Sequence, residues 1–349
     1  MPNHVINEIT LHGSDEEIQA VLKAVKKDNF GIGTIDFNKL LPMPPELNIE
    51  AGSRTDRGLK HYRDFVEVFT LGGTANAEKL ASIPPESEAA FLRQRSDIPT
   101  DEWELGKAAW NNIRRFGAPT WYEWCIAHWG TKWNAYGMDA AYPFAARGVI
   151  HFQTAQSAPH PILNELTKRF PNVGIEHQWA DEDLGCNCGR RVYRNGGCIE
   201  AYYPEGNLVG VRFAADLWGL DLESEGIVPN KSGTAYISLC DRNFEAIELC
   251  GKPALFSNAR LTDEDIPSEL FCYHLRHSDS GNRFCTVEPH VGVNHGGSVI
   301  LREPLDFGEQ GYIELTEDTE PNFLGEQQNL REFIEQGQEE KLSLGGLSI

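Results

Sequence analysis

Long apolar runs are missing from this chain, and positive charge is scarce. No stretch approaches the roughly 18 consecutive apolar residues that a membrane-spanning helix needs, and mean hydropathy is −0.41. A membrane span is excluded. Lysine and arginine number 31 against 52 aspartates and glutamates, a formal net charge of −21 over 349 residues. A field of that sign repels phosphate backbones and anionic lipid, so nucleic acid and membrane surfaces are disfavoured partners unless basic residues cluster locally. Arg54, Arg57, Lys60 and Arg63, or Arg190, Arg191 and Arg194, are the only such clusters. The common catalytic signatures are missing too: there is no G-x-x-x-x-G-K-[ST], G-x-S-x-G or H-E-x-x-H, and no G-x-G-x-x-G after a strand.

The opening residues MPNHVINEITLHG contain neither a basic stretch nor an apolar one. No secretion signal is expected, and the cytoplasm of the cell in which the gene is expressed is the expected compartment. In that compartment the eight cysteines read first as buried thiols rather than a disulfide framework. Acidity is concentrated late: residues 301–349 carry twelve acidic and three basic side chains, read as a solubilising surface and tail, with an acidic decoy for a basic channel as the sharper alternative.

Periodicity supplies the fold class. Val5, Asn7, Ile9 and Leu11 alternate with polar partners and mark a strand. Ser14 and Glu17 form a capping box ahead of a helical stripe of Ile18, Val21, Leu22 and Val25. Residues 34–41 then read as a second strand, stopped by Pro42, Pro44 and Pro45. A polar excursion at 46–118, with helices expected near 87–95 and 103–115, interrupts that order. Residues 148–153 resume it as a strand, followed by a helix begun by Pro161 and a strand through Val173, Ile175, His177 and Trp179. A hairpin follows about Asn195-Gly196-Gly197. Strand–helix–strand twice over predicts a ferredoxin-like α+β domain, its antiparallel sheet packed by two helices on one face. The expected division is 1–215 for this domain with its helical insertion, 216–233 as linker, 234–336 as a small β-rich domain, and 337–349 as a flexible acidic tail.

Six of the eight tryptophans fall between Trp103 and Trp133. Trp121, Trp124, Cys125, His128 and Trp129 stand at i, i+3, i+4, i+7 and i+8, one face of a helix. Such a stripe reads as core packing first. With Lys132, Trp133 and Tyr136 it also reads as a surface for a planar ligand or a protein partner.

The same segment carries a family likeness. Met1-Pro2-Asn3, Leu41-Pro42-Met43-Pro44, Trp121-x-x-Trp124-Cys125 and Trp129-Gly130-Thr131-Lys132-Trp133-Asn134-Ala135-Tyr136 occur in one order with Phe152-Gln153-Thr154-Ala155, Ser157-Ala158-Pro159 and Phe170-Pro171. Together they resemble the YubB-like, ferredoxin-like family of phage and plasmid proteins over residues 1–205. That family brings no established catalytic residues. Cys250-Gly251-Lys252-Pro253-Ala254-Leu255-Phe256, Cys272-Tyr273-x-Leu275-Arg276, Val293-Asn294-His295-x-Gly297, Pro304-Leu305-Asp306-Phe307 and Asn322-Phe323-Leu324-Gly325-Glu326 resemble a domain associated with large polyvalent proteins of phages and conjugative elements, over 234–335. Both likenesses imply a mobile-element accessory protein that binds a host or element protein, with counter-defence as one role.

The competing chemistry is metal binding. His177, Cys186, Cys188 and Cys198 offer four ligands near one hairpin, although Cys-x-Cys is a strained chelate for one zinc ion. Cys272, His274, Cys285 and His295 are a second set, scattered over strands. No cofactor is expected, zinc being the alternative, and a metal-dependent or nucleic-acid-processing factor is the rival function.

Overall fold

The computed structural model describes residues 3–70, 84–138, 148–238, 244–259, 261–277, 284–287, 297–309, 311–316, 321–325 and 332–333. The segment expected as a tail, 337–349, lies outside them. The chain divides into two compact units, one of residues 1–183 and 187–203, the other of 184–186 and 204–349.

In the first unit, β1 (His4–His12) buries Val5, Asn7, Ile9 and Leu11 as its alternation requires. Ser14 caps α1 (Asp15–Val25) in a capping box with Glu17. Three helices form most of the insertion: α2 (Ser53–Thr70), α3 (Pro85–Gln94) and α4 (Thr100–Phe116). Phe65, Val66, Ile98 and Trp103 give it a core of its own. There follow α5 (Trp121–Trp129), β2 (Val149–Ala155), α6 (His160–Arg169), β3 (Gly174–Asp181), β4 (Gly189–Arg194) and β5 (Gly197–Tyr202). All five strands pair antiparallel in the order β2-β1-β3-β4-β5. Val21, Leu22 and Val25 of α1 and Ile162, Leu163 and Leu166 of α6 share one core with Ile9, Ile150, Phe152 and Ile175. Both helices therefore cover the same face of the sheet.

Residues 34–41 are not a strand. Phe37–Lys39 is a short 3-10 turn capped by Asp36. Asn134 supplies what a neighbouring strand would have supplied: its Oδ1 accepts from Phe37 N at 2.9 Å and its Nδ2 donates to Asp36 Oδ1 at 2.7 Å. The sheet edge instead takes Tyr136, which forms a single antiparallel bridge with Gln153 on β2.

In the second unit, α7 (Asn207–Trp218) leads to a two-stranded hairpin, β6 (Ile227–Pro229) with β7 (Tyr236–Ser238), so residues 216–233 carry regular structure. The rest is β8 (Phe244–Leu249), β9 (Lys252–Ser257), β10 (Phe271–His277), β11 (Phe284–Val287), β12 (Ser298–Leu301), β13 (Tyr312–Glu314) and β14 (Asn322–Phe323). These make one antiparallel sheet ordered β13-β11-β10-β12-β9-β8-β14. Alternate residues feed opposite cores: Ala246, Leu255, Cys272 and Ile300 on one face, Ile247, Ala254, Tyr273 and Val299 on the other. A mixed α+β architecture followed by a β-rich region is thus the fold.

Candidate functional site

Thr120 starts α5, its hydroxyl accepting from Tyr122 N at 3.2 Å and donating to Glu123 Oε2 at 2.6 Å. Gly130 ends it at φ 78, and a Cβ there would meet Pro161 Cδ at 2.7 Å. Conformation and space both demand glycine. Between these caps the aromatic segment separates into two populations.

Trp124, Cys125 and Trp129 enter the core against Phe37 and Phe152. Trp129 donates from Nε1 to Leu41 O at 2.8 Å and meets Phe37 edge-on at 5.8 Å. Burial pushes the Cys125 thiol up to about 12, so it stays protonated and unreactive at neutral pH. Tyr136 is pinned as well: its hydroxyl donates to Thr154 O at 3.1 Å and accepts from His4 Nδ1 at 2.7 Å.

The remaining side chains face solvent. His128 is exposed and lies flat on Trp124, with ring centroids 4.2 Å apart, its Nδ1 donating to Trp124 O at 2.9 Å. Trp121 is half-buried at the margin of the core. Beside it, the Lys132 ammonium sits 5.6 Å from the Tyr122 ring and 5.0 Å from the Trp133 ring. Tyr122, Lys132 and Trp133, all half-buried, form a shelf of two rings bridged by one cation. Sequence spacing did not single out Tyr122, because it meets Lys132 only through the reversal at Gly130.

The first metal candidate set is placed apart. His177 is fully buried, whereas Cys198 lies exposed on the outer strand with Sγ donating to Glu200 O at 3.1 Å. Cys188 is buried, and Cys186 is exposed and falls with the second unit. In the second set, Cys272 Sγ points to Leu261 O at 3.8 Å, and His274 Nδ1 lies 3.1 Å from Ser298 Oγ. Cys285 stands opposite Arg276 in the β10–β11 pairing, and His295 lies outside the described residues. Among the described residues no three His, Cys, Asp or Glu side chains are grouped to hold a metal ion.

His177 belongs to a buried polar network beneath the start of α6. Asn7 Nδ2 donates to Val5 O and Thr154 Oγ1, both at 2.9 Å, so its Oδ1 accepts from His177 Nε2 at 3.0 Å. Trp179 stacks on His177 at 5.1 Å, and Tyr193 Oη lies 2.8 Å from His160 Nδ1. Burial, with Arg191 nearby, pushes His160 down to about 4. Burial, then His160 and Arg191, holds His177 well below the usual histidine range. Both rings are neutral, and burial raises the Tyr193 phenol.

Three arginines of the basic clusters face carboxylates. Arg54 pairs with Glu50 and Asp101, Arg57 with Glu102, and Arg190 with Glu176 and Glu200. Arg191 lies over Trp179 and donates to Tyr203 Oη. The sheet face away from the helices carries His151–Glu8 at 3.5 Å, His12–Glu176 at 3.7 Å and Arg190–Glu176 at 3.2 Å, a ladder of polar contacts to glutamates rather than a row of stacking rings. No helix among the described residues is long and apolar enough to cross a membrane.

Comparison with known proteins adds two domains. Residues 128–218 match the family described as a ferredoxin-like domain in Api92-like protein, and residues 240–335 match large polyvalent protein associated domain 28. A crystal structure of the protein Api92 from Yersinia pseudotuberculosis aligns over 59% of this chain and 99% of that one, at 12% identity and a TM-score of 0.28. No curated protein matches. The chain is therefore similar to a ferredoxin-like, Api92-like domain over one segment and to a polyvalent-protein-associated domain over the next.

Proposed function

We propose that this is a non-enzymatic accessory protein of a phage or conjugative element, acting in the host cytoplasm by binding a host or element protein, with counter-defence as its role. The observation that carries the binding reading is the Tyr122–Lys132–Trp133 shelf, two half-buried rings bridged by an ammonium on a rigid helix-and-turn frame. Tryptophan and tyrosine dominate binding energy at protein interfaces because they bury much apolar area at small entropic cost. Trp124 and Trp129 of the same segment are buried in the core and anchor helix α5, which carries Tyr122. The mobile-element setting rests on the sequence likenesses, and a match to a domain associated with large polyvalent proteins is in keeping with it. No cofactor is invoked.

The test is affinity capture with the full chain from extracts of the cell that carries its gene. A partner should be retained by the unaltered protein and lost from the Tyr122→Ala/Trp133→Ala variant, with circular dichroism unchanged. Identical capture by both proteins would remove the shelf from the function.

A further inference from the structure

Carboxylates outnumber cations 52 to 31 in this chain, and several cations of the first unit have taken one. Arg57 meets Glu102, Lys107 meets Glu88 and Arg190 meets Glu176. Lys132 has not. It is half-buried, its ammonium lies over the Tyr122 and Trp133 rings, and it pairs with no carboxylate among the described residues. Glu123, next to Tyr122 on α5, is taken by the Thr120 hydroxyl at 2.6 Å. The Tyr122 hydroxyl and the Trp133 indole N–H also have no hydrogen-bond partner among the described residues. The shelf therefore offers a guest three donor groups, of which only the phenol can also accept.

Apolar surface adjoins these donors. Ile126 stands four residues beyond Tyr122 on α5, hence on the same helix face, and is 43% exposed. Trp121 meets Tyr122 edge-on at 5.8 Å, and Tyr136 meets Trp133 at 6.3 Å, so aromatic surface continues beyond both rings that hold the ammonium. A cationic guest would be repelled by Lys132, which already lies over both rings. A wholly apolar guest would desolvate the ammonium without pairing it. A phosphate chain would meet the field of a molecule with net charge −21. A single carboxylate beside an apolar side chain satisfies the whole surface. It pairs with an ammonium that the rings partly shield from water, and its neighbour covers the exposed apolar area.

We propose that the shelf recognises an aspartate or glutamate carried beside an apolar residue on the partner protein, the carboxylate pairing with Lys132 and the apolar neighbour lying on Tyr122 and Ile126. This rests on the protein-binding reading and specifies what the partner brings to the shelf. The net charge of the chain opposes the approach of an acidic partner, so the pair acts after contact. Loss of the ammonium should raise the dissociation rate and leave association almost unchanged.

Fluorescence anisotropy of the full chain with a labelled leucine–glutamate–leucine peptide tests this, with glutamine in place of the glutamate as the neutral comparison. The glutamate peptide should bind about tenfold more tightly, as one charge-assisted contact allows. Lys132→Met, which keeps an unbranched stem on the rings, should abolish that preference, and Lys132→Arg should retain it. Lys60→Met, which removes the same charge from an exposed position on α2, should leave it intact. Equal binding of the two peptides, an unaffected Lys132→Met variant or an equal loss in Lys60→Met would each overturn the proposal. So would binding of neither peptide, whether or not a labelled single-stranded oligonucleotide binds instead. If Lys132→Met still captures, as well as the parent does, a partner that Tyr122→Ala/Trp133→Ala loses, the acidic guest fails while the protein-binding reading stands.

Discussion

The His177 imidazole donates from Nε2 to Asn7 Oδ1 at 3.0 Å across adjacent strands, and its buried Nδ1 has no hydrogen-bond partner among the described residues. A proton added at Nδ1 would place a charge in the interior next to His160 and Arg191. The network is therefore compatible only with a neutral ring.

Acid should weaken the first unit in a defined window. An unfolded histidine takes up its proton at about pH 6.5, whereas His160 in the folded protein does so at about 4 and burial holds His177 well below the usual histidine range. Below about pH 6.5 the unfolded chain binds more protons, so this stabilisation is complete above that pH and is lost as pH falls toward 4 and beyond. The steepest slope is about 1.4 kcal/mol per pH unit for each ring. Carboxylates held low by their partners, such as Glu17 and Glu102, act only at lower pH. Urea midpoints at pH 7.5 and pH 5 check this. The midpoint should fall for the parent protein and fall less for His160→Gln.

Gly58 and Gly106 mark where α2 and α4 cross. A Cβ on Gly58 would lie 1.9 Å from Glu102 O, and one on Gly106 would lie 2.0 Å from Gly58 O. Alanine at either position improves helix propensity by about 1 kcal/mol but forces two backbones apart. Overpacking of a few kcal/mol should prevail. Thermal unfolding should show a clear drop for each variant and almost none for Gly52→Ala, where the added methyl meets open space.

Trp124→Ala and Trp129→Ala should each cost about 3–5 kcal/mol, the range for deleting a large buried aromatic. Trp129 also leaves Leu41 O without its indole donor. Trp133→Ala, on the half-buried shelf, should cost much less. Guanidinium unfolding of the three variants separates frame from surface.

Thiol labelling distinguishes the cysteines. Cys198 is exposed and Cys125 is buried with its thiol held up to about 12. Maleimide at pH 7 followed by mass spectrometry should modify Cys198 within minutes and Cys125 only after unfolding.

Much of the first unit was legible because its signals are local. The alternation of Val5, Asn7, Ile9 and Leu11 and the Ser14–Glu17 capping box each lie within one element, and both occur as read. The 34–41 segment misled because its fate depends on Asn134, distant in sequence. Helix α2 was missed although Leu59, Phe65 and Val66 bury one face of it, since Gly58 and many charged residues dilute that spacing. The two populations of the aromatic segment were legible only in part. Helical periodicity marks Trp124 and Trp129 as core, but nothing local brings Tyr122 to Lys132. The role of His177 was hidden for the same reason: its strand was clear, but Asn7 and His160 reach it through pairing and packing.

The central claim is that this protein binds another through its aromatic shelf. Its most direct test is the dissociation rate of a captured partner from immobilised full chain, compared between the parent protein and Tyr122→Ala/Trp133→Ala. Loss of two aromatic anchors should raise that rate by at least tenfold with the melting temperature unchanged. An unchanged dissociation rate would contradict the claim and move the binding surface elsewhere on the molecule.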